Sequence, residues 1–124
     1  SVNHEEFVEL VINGTKDAFV MVYSENCEAC KHFKQVFLKM AEKYKEIENL
    51  EFFKIEGVNN DLPGVNLVFV PSFYLFKNGE KDKPIYMSDH REEERFYEFL
   101  KENLGLIKMK EMNYRLNKHK ISLK

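Results

Sequence analysis

Ser24-Glu25-Asn26-Cys27-Glu28-Ala29-Cys30-Lys31 is the stretch that decides how this chain is read. An apolar run, Ala18-Phe19-Val20-Met21-Val22-Tyr23, leads into it, and an amphipathic run from about Glu28 to Glu46 leads out. The first run has the length of a strand covered on both faces. The second spaces Phe33, Val36, Phe37, Met40, Ala41 and Tyr44 by threes and fours, as one wide stripe of a helix. Cys27 and Cys30 are the only cysteines in the chain. Two thiols at such a junction meet the unpaired N–H groups and positive dipole end of a helix, which favour thiolate on Cys27. Cys30 lies a turn further in, placed to attack a mixed disulfide on Cys27. The spacing points to redox chemistry on sulfur.

Two other uses of a C-x-x-C pair fit less well. Half of a zinc site needs two more ligands, but there is no second cysteine pair, and His4, His32, His90 and His119 have no converging spacing. No metal and no soluble cofactor is expected. An inert structural bridge across two residues closes too small a loop to stabilise much on the entropic account.

Working outward, His4–Asn13 places Phe7, Leu10 and Val11 at helical spacing, with Asn3 as N-cap and acids in the first turn. Asn13-Gly14-Thr15 predicts a stop with Gly14 in the left-handed region. It is also an N-x-Thr sequon, and a helix stop matching the sequon by chance is an equal reading. Leu50–Ile55 predicts a second strand with Lys54 among apolar neighbours, and residues 57–64 a turn-rich connection. Val65 to Phe76 leads through Val70-Pro71 to an Asn78-Gly79 hairpin and a short strand, Pro84–Met87. Arg91–Asn103 is a final helix, stopped by Gly105. Strands alternating with helices, then an antiparallel hairpin, predict an α/β fold: a mixed central sheet flanked by helices on both faces.

At 124 residues and 44% hydrophobic content the chain allows one domain with an ordinary core. Residues 105–124 carry a net charge of +5 and residues 1–104 a net −7. An acidic body argues against a nucleic-acid-binding domain, and no apolar run approaches the length of a membrane span. The expected division is a domain over 1–105 and a basic tail over 106–124, helical or linker, read as a solvated appendage ahead of a weak surface-binding segment. The expected state is a monomer. The chain starts at Ser1 with no secretory signal, which fits a processed form or an excised domain. One C-x-x-C pair suits an oxidising or a reducing compartment.

Taken together, the strand, the C-x-x-C-Lys, the Val-Pro before an aromatic strand and the Lys77-Asn78-Gly79 hairpin resemble a thioredoxin fold. Asn59-Asn60-Asp61-Leu62-Pro63 and the segments from Lys77 to Tyr86 and Phe96 to Leu100 resemble the catalytic domains of protein disulfide isomerases more than free thioredoxins. The resemblance covers about residues 3–104, and by its register the family's first strand would lie just upstream of Asn3, truncated here. It implies that Cys27 is the exposed nucleophile and Cys30 the resolving thiol. It implies that Pro71 is the family's cis-proline, against an ordinary trans proline at a strand edge, and that the backbone of Val70 pairs with an extended substrate. Arg91 falls where the family carries an arginine that modulates the resolving thiol, an exposed arginine on an acidic helix start being the alternative.

Three positions depart from the family pattern. Asn26 stands where a tryptophan usually precedes the first cysteine. Met21 stands where the family has a buried acid that takes the proton of the resolving thiol, although Lys54 matches the lysine paired with that acid. Glu28 lies between the cysteines where the isomerases have Gly-His; an acid so close opposes the thiolate and predicts a poorer oxidant. The reading is a thiol–disulfide oxidoreductase or isomerase domain acting on cysteines of client proteins with a redox partner, in the endoplasmic reticulum lumen or secretory pathway. Met21, Asn26 and Glu28 favour an alternative, a client-binding module with little turnover. A cytosolic thioredoxin is the third, with the cytoplasm as its compartment.

Overall fold

The structure, a computed structural model, describes residues 1–57, 62, 65, 70–88 and 92–104. It divides into two compact units, residues 1–89 and 90–124.

In the first unit the chain begins with a short helix, α1 (His4–Phe7), continued as a π-helical turn over Val8–Ile12. Asn3 caps it: its side chain accepts from the Glu6 N–H at 2.8 Å, and the Glu6 carboxylate accepts from the Asn3 N–H at 3.1 Å. The helix stop differs from expectation. Gly14 has no positive φ; the turn closes by the Asn13 N–H donating to the Val8 carbonyl at 2.9 Å. Glycine is needed there because a Cβ would meet the Leu10 carbonyl oxygen.

Strand β1 (Asp17–Tyr23) is the middle of the sheet, buried along six of its seven residues. It pairs in parallel with β2 (Leu50–Glu56) and antiparallel with β3 (Ser72–Phe76), which pairs antiparallel with β4 (Ile85–Tyr86). The sheet order is β2-β1-β3-β4, mixed as expected. Outside the named strands, Val2 makes a parallel bridge to Ile55. The hairpin is longer than the Asn-Gly signal predicts. Gly79 does take the positive φ, 87°, but a second turn closed by Lys83 N–H to the Glu80 carbonyl follows before β4. Asp17, at the base of β1, pins this excursion by accepting from the Asn78 N–H at 2.8 Å.

Alternation along β1 sends two chemically different sets of side chains to the two faces. Ala18, Val20 and Val22 join Phe7, Val11, Ile55, Tyr74 and Phe76 in one core, so α1 and its π turn cover that face. Phe19 stacks on Phe37 of α2 (Glu28–Lys43) and on Phe73, with Phe33, Phe52 and Tyr44 closing an aromatic core on the other. Thus helices cover both faces of the sheet. Helix α2 ends at Lys43, three residues before the expected Glu46, with Tyr44 as its C-cap and the Tyr44 ring buried.

The second unit contains α3 (Glu93–Leu104), in which Phe96 and Leu100 are buried and Arg95 pairs with Glu98 at 2.7 Å. Asn59, Asn60, Asp61, Pro63, Arg91 and the whole of 105–124, including Gly105, lie outside the described residues.

Candidate functional site

Strand β1 ends at Tyr23, and the chain turns through residues 24–26 into α2. Cys27 is the N-cap of that helix, with extended backbone (φ −96°, ψ 114°), and its Sγ accepts the Cys30 N–H at 3.0 Å. A sulfur thus takes the place that serine or aspartate oxygen takes at most helix starts. The consequence for charge is direct: a thiolate at this position has a backbone donor and the helix dipole to stabilise it. Cys27 and Cys30 form a disulfide, with Cα atoms 5.2 Å apart. Cys30 is buried at 4% exposure, whereas Cys27 is only half-buried. The more accessible sulfur is therefore the one with the anion-stabilising contacts.

Opposite the dithiol, the Val70–Pro71 bond is cis, and Pro71 is buried just before β3. The Val70 carbonyl oxygen lies 3.8 Å from Cys27 Sγ. Two elements far apart in sequence, the start of α2 and the start of β3, thus meet at one sulfur.

On the side facing α2, a cleft of about 170 Å³ opens beside the dithiol, lined among others by Met21, Glu25, Cys27, Cys30, Lys34 and Lys54. Register explains its floor, since Met21 of β1 is the direct partner of Lys54 on β2. Met21 is buried at 1% exposure. Lys34, four residues beyond Cys30, comes from the same helical face. Burial, and then the charge and contact of Lys34, hold the Lys54 amine below its ordinary 10.5. The approach of Lys34 to Lys54 is the feature that sequence reading missed. The one signal for it was the four-residue step from Cys30 to Lys34.

Among the residues singled out from the sequence, Cys27, Cys30, Val70 and Pro71 come together, and Lys54 lines the same cleft. Glu28 does not turn inward. Its carboxylate, on an 87% exposed side chain, accepts from Lys31 at 3.1 Å. Solvent and that partner screen its charge from the sulfurs. Arg91 lies outside the described residues. Among the described residues, no group of three or more His, Cys, Asp or Glu side chains is placed to hold a metal, and no helix is long and apolar enough to cross a membrane.

A parallel–antiparallel sheet with a C-x-x-C disulfide at the start of the helix after its central strand defines a thioredoxin-type domain. The thioredoxin family pattern matches residues 1–102, and the chain belongs to that family. It is 31% identical over 97 residues to a protein disulfide-isomerase of Aspergillus oryzae, covering 78% of this chain and 19% of that protein. With protein disulfide isomerase-like 1-4 of Arabidopsis thaliana it shares 28% identity over 100 residues, covering 80% of this chain and 17% of the relative. The chain thus spans about a fifth of the length of these relatives. Its fold is similar to the first thioredoxin domain of mouse protein disulfide-isomerase A4, with a TM-score of 0.66 at 18% identity over 82% of this chain and 71% of the other.

Proposed function

We propose that this chain is a thiol–disulfide oxidoreductase domain that exchanges disulfides with cysteines of client proteins. The observation that carries the reading is the asymmetry of the dithiol: Cys27 capping α2 and accessible, Cys30 buried behind it. In the reducing direction the Cys27 thiolate attacks a client disulfide, forming a mixed disulfide and releasing one client thiolate. Cys30, deprotonated, then attacks Cys27 Sγ, releasing the second client thiolate and leaving the Cys27–Cys30 disulfide. Two electrons pass to the client, and the two thiolates take up the two protons shed by the domain. The Val70 backbone, beside Cys27, is the proposed rail for an extended client, with Pro71 setting its direction.

A redox partner and a place in the endoplasmic reticulum lumen or secretory pathway belong to the same proposal, supported by the disulfide-isomerase relatives, and so does a monomeric state. So do the domain limits 1–105, the tail 106–124 as an appendage, and modulation by Lys54 and Arg91. The test is insulin reduction together with trapping. Cys27→Ser should abolish turnover, and Cys30→Ser should accumulate a mixed disulfide with a client. Alkylation mapping that found Cys30 the more reactive thiol would overturn the assignment of roles. Met21 favours a second reading, a client-holding module, because no carboxylate stands where it lies against Lys54. A wild-type chain that leaves the insulin lag unchanged while retaining clients would support that reading.

A further inference from the structure

The cleft beside the dithiol has an unusual charge. Residues 1–104 are acidic in sum, yet two lysines meet at its wall. Lys34 and Lys54 act on each other directly, and neither has a carboxylate partner among the described residues. Lys31, at the rim, is already engaged by Glu28. Met21, the neighbour across the strand pair, is buried and uncharged, so nothing on the floor neutralises Lys54. Two ammonium groups brought together in a partly enclosed space repel, and an anion placed between them relieves that repulsion. Glu25 lines the same cleft but shows no ion pair with either lysine.

Resting on the oxidoreductase reading above, we propose that Lys34 and Lys54 form a carboxylate subsite beside the dithiol, so that the domain prefers disulfides carrying an acidic group close to sulfur. The cleft holds Cys27 and Cys30 in its lining, so a carboxylate on the lysines and a disulfide on Cys27 are within reach of one small substrate or one peptide segment. The chemistry of exchange is unaltered: the same bonds form and break, and the subsite acts on binding and orientation before Cys27 attacks. Such a carboxylate comes either from an Asp or Glu side chain next to a client cysteine or from a low-mass thiol that carries its own carboxylate.

The test compares kcat/KM on two pairs of disulfides using the full chain. One pair is a disulfide-linked peptide with Glu beside the cysteine and its Gln counterpart. The other is dithiodipropionate and uncharged bis-hydroxyethyl disulfide. Wild type should favour the acidic member about three- to tenfold, as expected of one or two partly screened charge contacts, and less at high salt. The preference should fall toward one in Lys34→Gln and in Lys54→Met, and persist in Lys83→Gln on the distant hairpin as a control for general charge. A preference on the peptide pair alone assigns the subsite to acidic clients, and on the small pair alone to a low-mass anionic thiol. Turnover with equal rates on both members of both pairs overturns the subsite and leaves the oxidoreductase reading standing. No turnover of any of the four overturns that reading, and the subsite with it.

Discussion

Replacing Met21 by Glu puts a carboxyl group on the floor of the cleft, directly across the strand pair from Lys54. The Met21 side chain is 1% exposed, so its burial is worth about 1.5–3 kcal/mol, part of which the two retained methylenes keep. Desolvating the new carboxyl costs a further ~1–3 kcal/mol, and pairing with Lys54 offsets about half of the combined loss. The net expectation is a loss of about 2 kcal/mol, or a melting temperature lower by roughly 6–12 °C in a chain of this size. The pH dependence separates pairing from mere damage. In the wild type the folded state lowers the Lys54 amine, so in the interval just below 10.5 the unfolded chain binds more protons and stability rises with pH. Below that interval both states hold the proton and the cost of the buried charge is constant. A carboxylate partner raises the amine again, so the alkaline gain should vanish in the variant. Turnover in insulin reduction should rise by about tenfold, as a proton acceptor reaches Cys30, a modest share of what general bases contribute. Unaltered turnover would refute the reasoning that Met21 removes a proton acceptor. An unchanged alkaline slope would refute the pairing with Lys54.

Three further substitutions test other parts of the structure. Asn3→Ala removes the side-chain half of the capping box, the acceptor of the Glu6 N–H, and should cost about 1 kcal/mol, measured by urea denaturation; no loss would mean the first turn is held by packing and the remaining Asn3 N–H to Glu6 bond alone. Gly14→Ala drives a Cβ into the Leu10 carbonyl, whereas Gly79→Ala meets open space and only a φ penalty of about 1–2 kcal/mol, so the first should cost more; the reverse order would contradict the π turn. Glu28→Gln should move the dithiol potential by no more than about 10 mV in a glutathione titration, because its carboxylate is exposed and paired with Lys31; a shift several times larger would show that its charge does reach the sulfurs.

The parts of this fold legible in the sequence are those in which each residue's own pattern agrees with its burial. Ala18–Tyr23 announces a doubly covered strand because both its faces are apolar, and the threes and fours of Phe33, Phe37 and Met40 announce the aromatic side of α2. The Cys27–Cys30 pair was readable because a strand-to-helix junction has its own electrostatics. The π turn was not, since one extra residue inside a helix leaves almost no trace in hydrophobic spacing. Gly14 reads as a left-handed stop, but it is there because the Leu10 carbonyl, four residues back in the π turn, comes too near for any side chain, a detail of local backbone geometry that residue spacing does not carry. The cationic cleft is hidden for a different, tertiary reason. Lys34 reads as one of several surface lysines on an amphipathic helix, and only the parallel register of β1 with β2 brings Lys54 to it.

The cap of α2 couples two properties that are usually measured apart. In a thermodynamic cycle joining folded and unfolded, oxidised and reduced chain, any extra strength the Cys30 N–H···Sγ bond acquires when Cys27 becomes an anion must appear twice. It appears once as added resistance of the reduced domain to unfolding, and once, in equal amount, as greater ease of accepting electrons. The first turn of α2 is thus part of the redox couple, and the electron affinity of the disulfide is partly a property of the backbone.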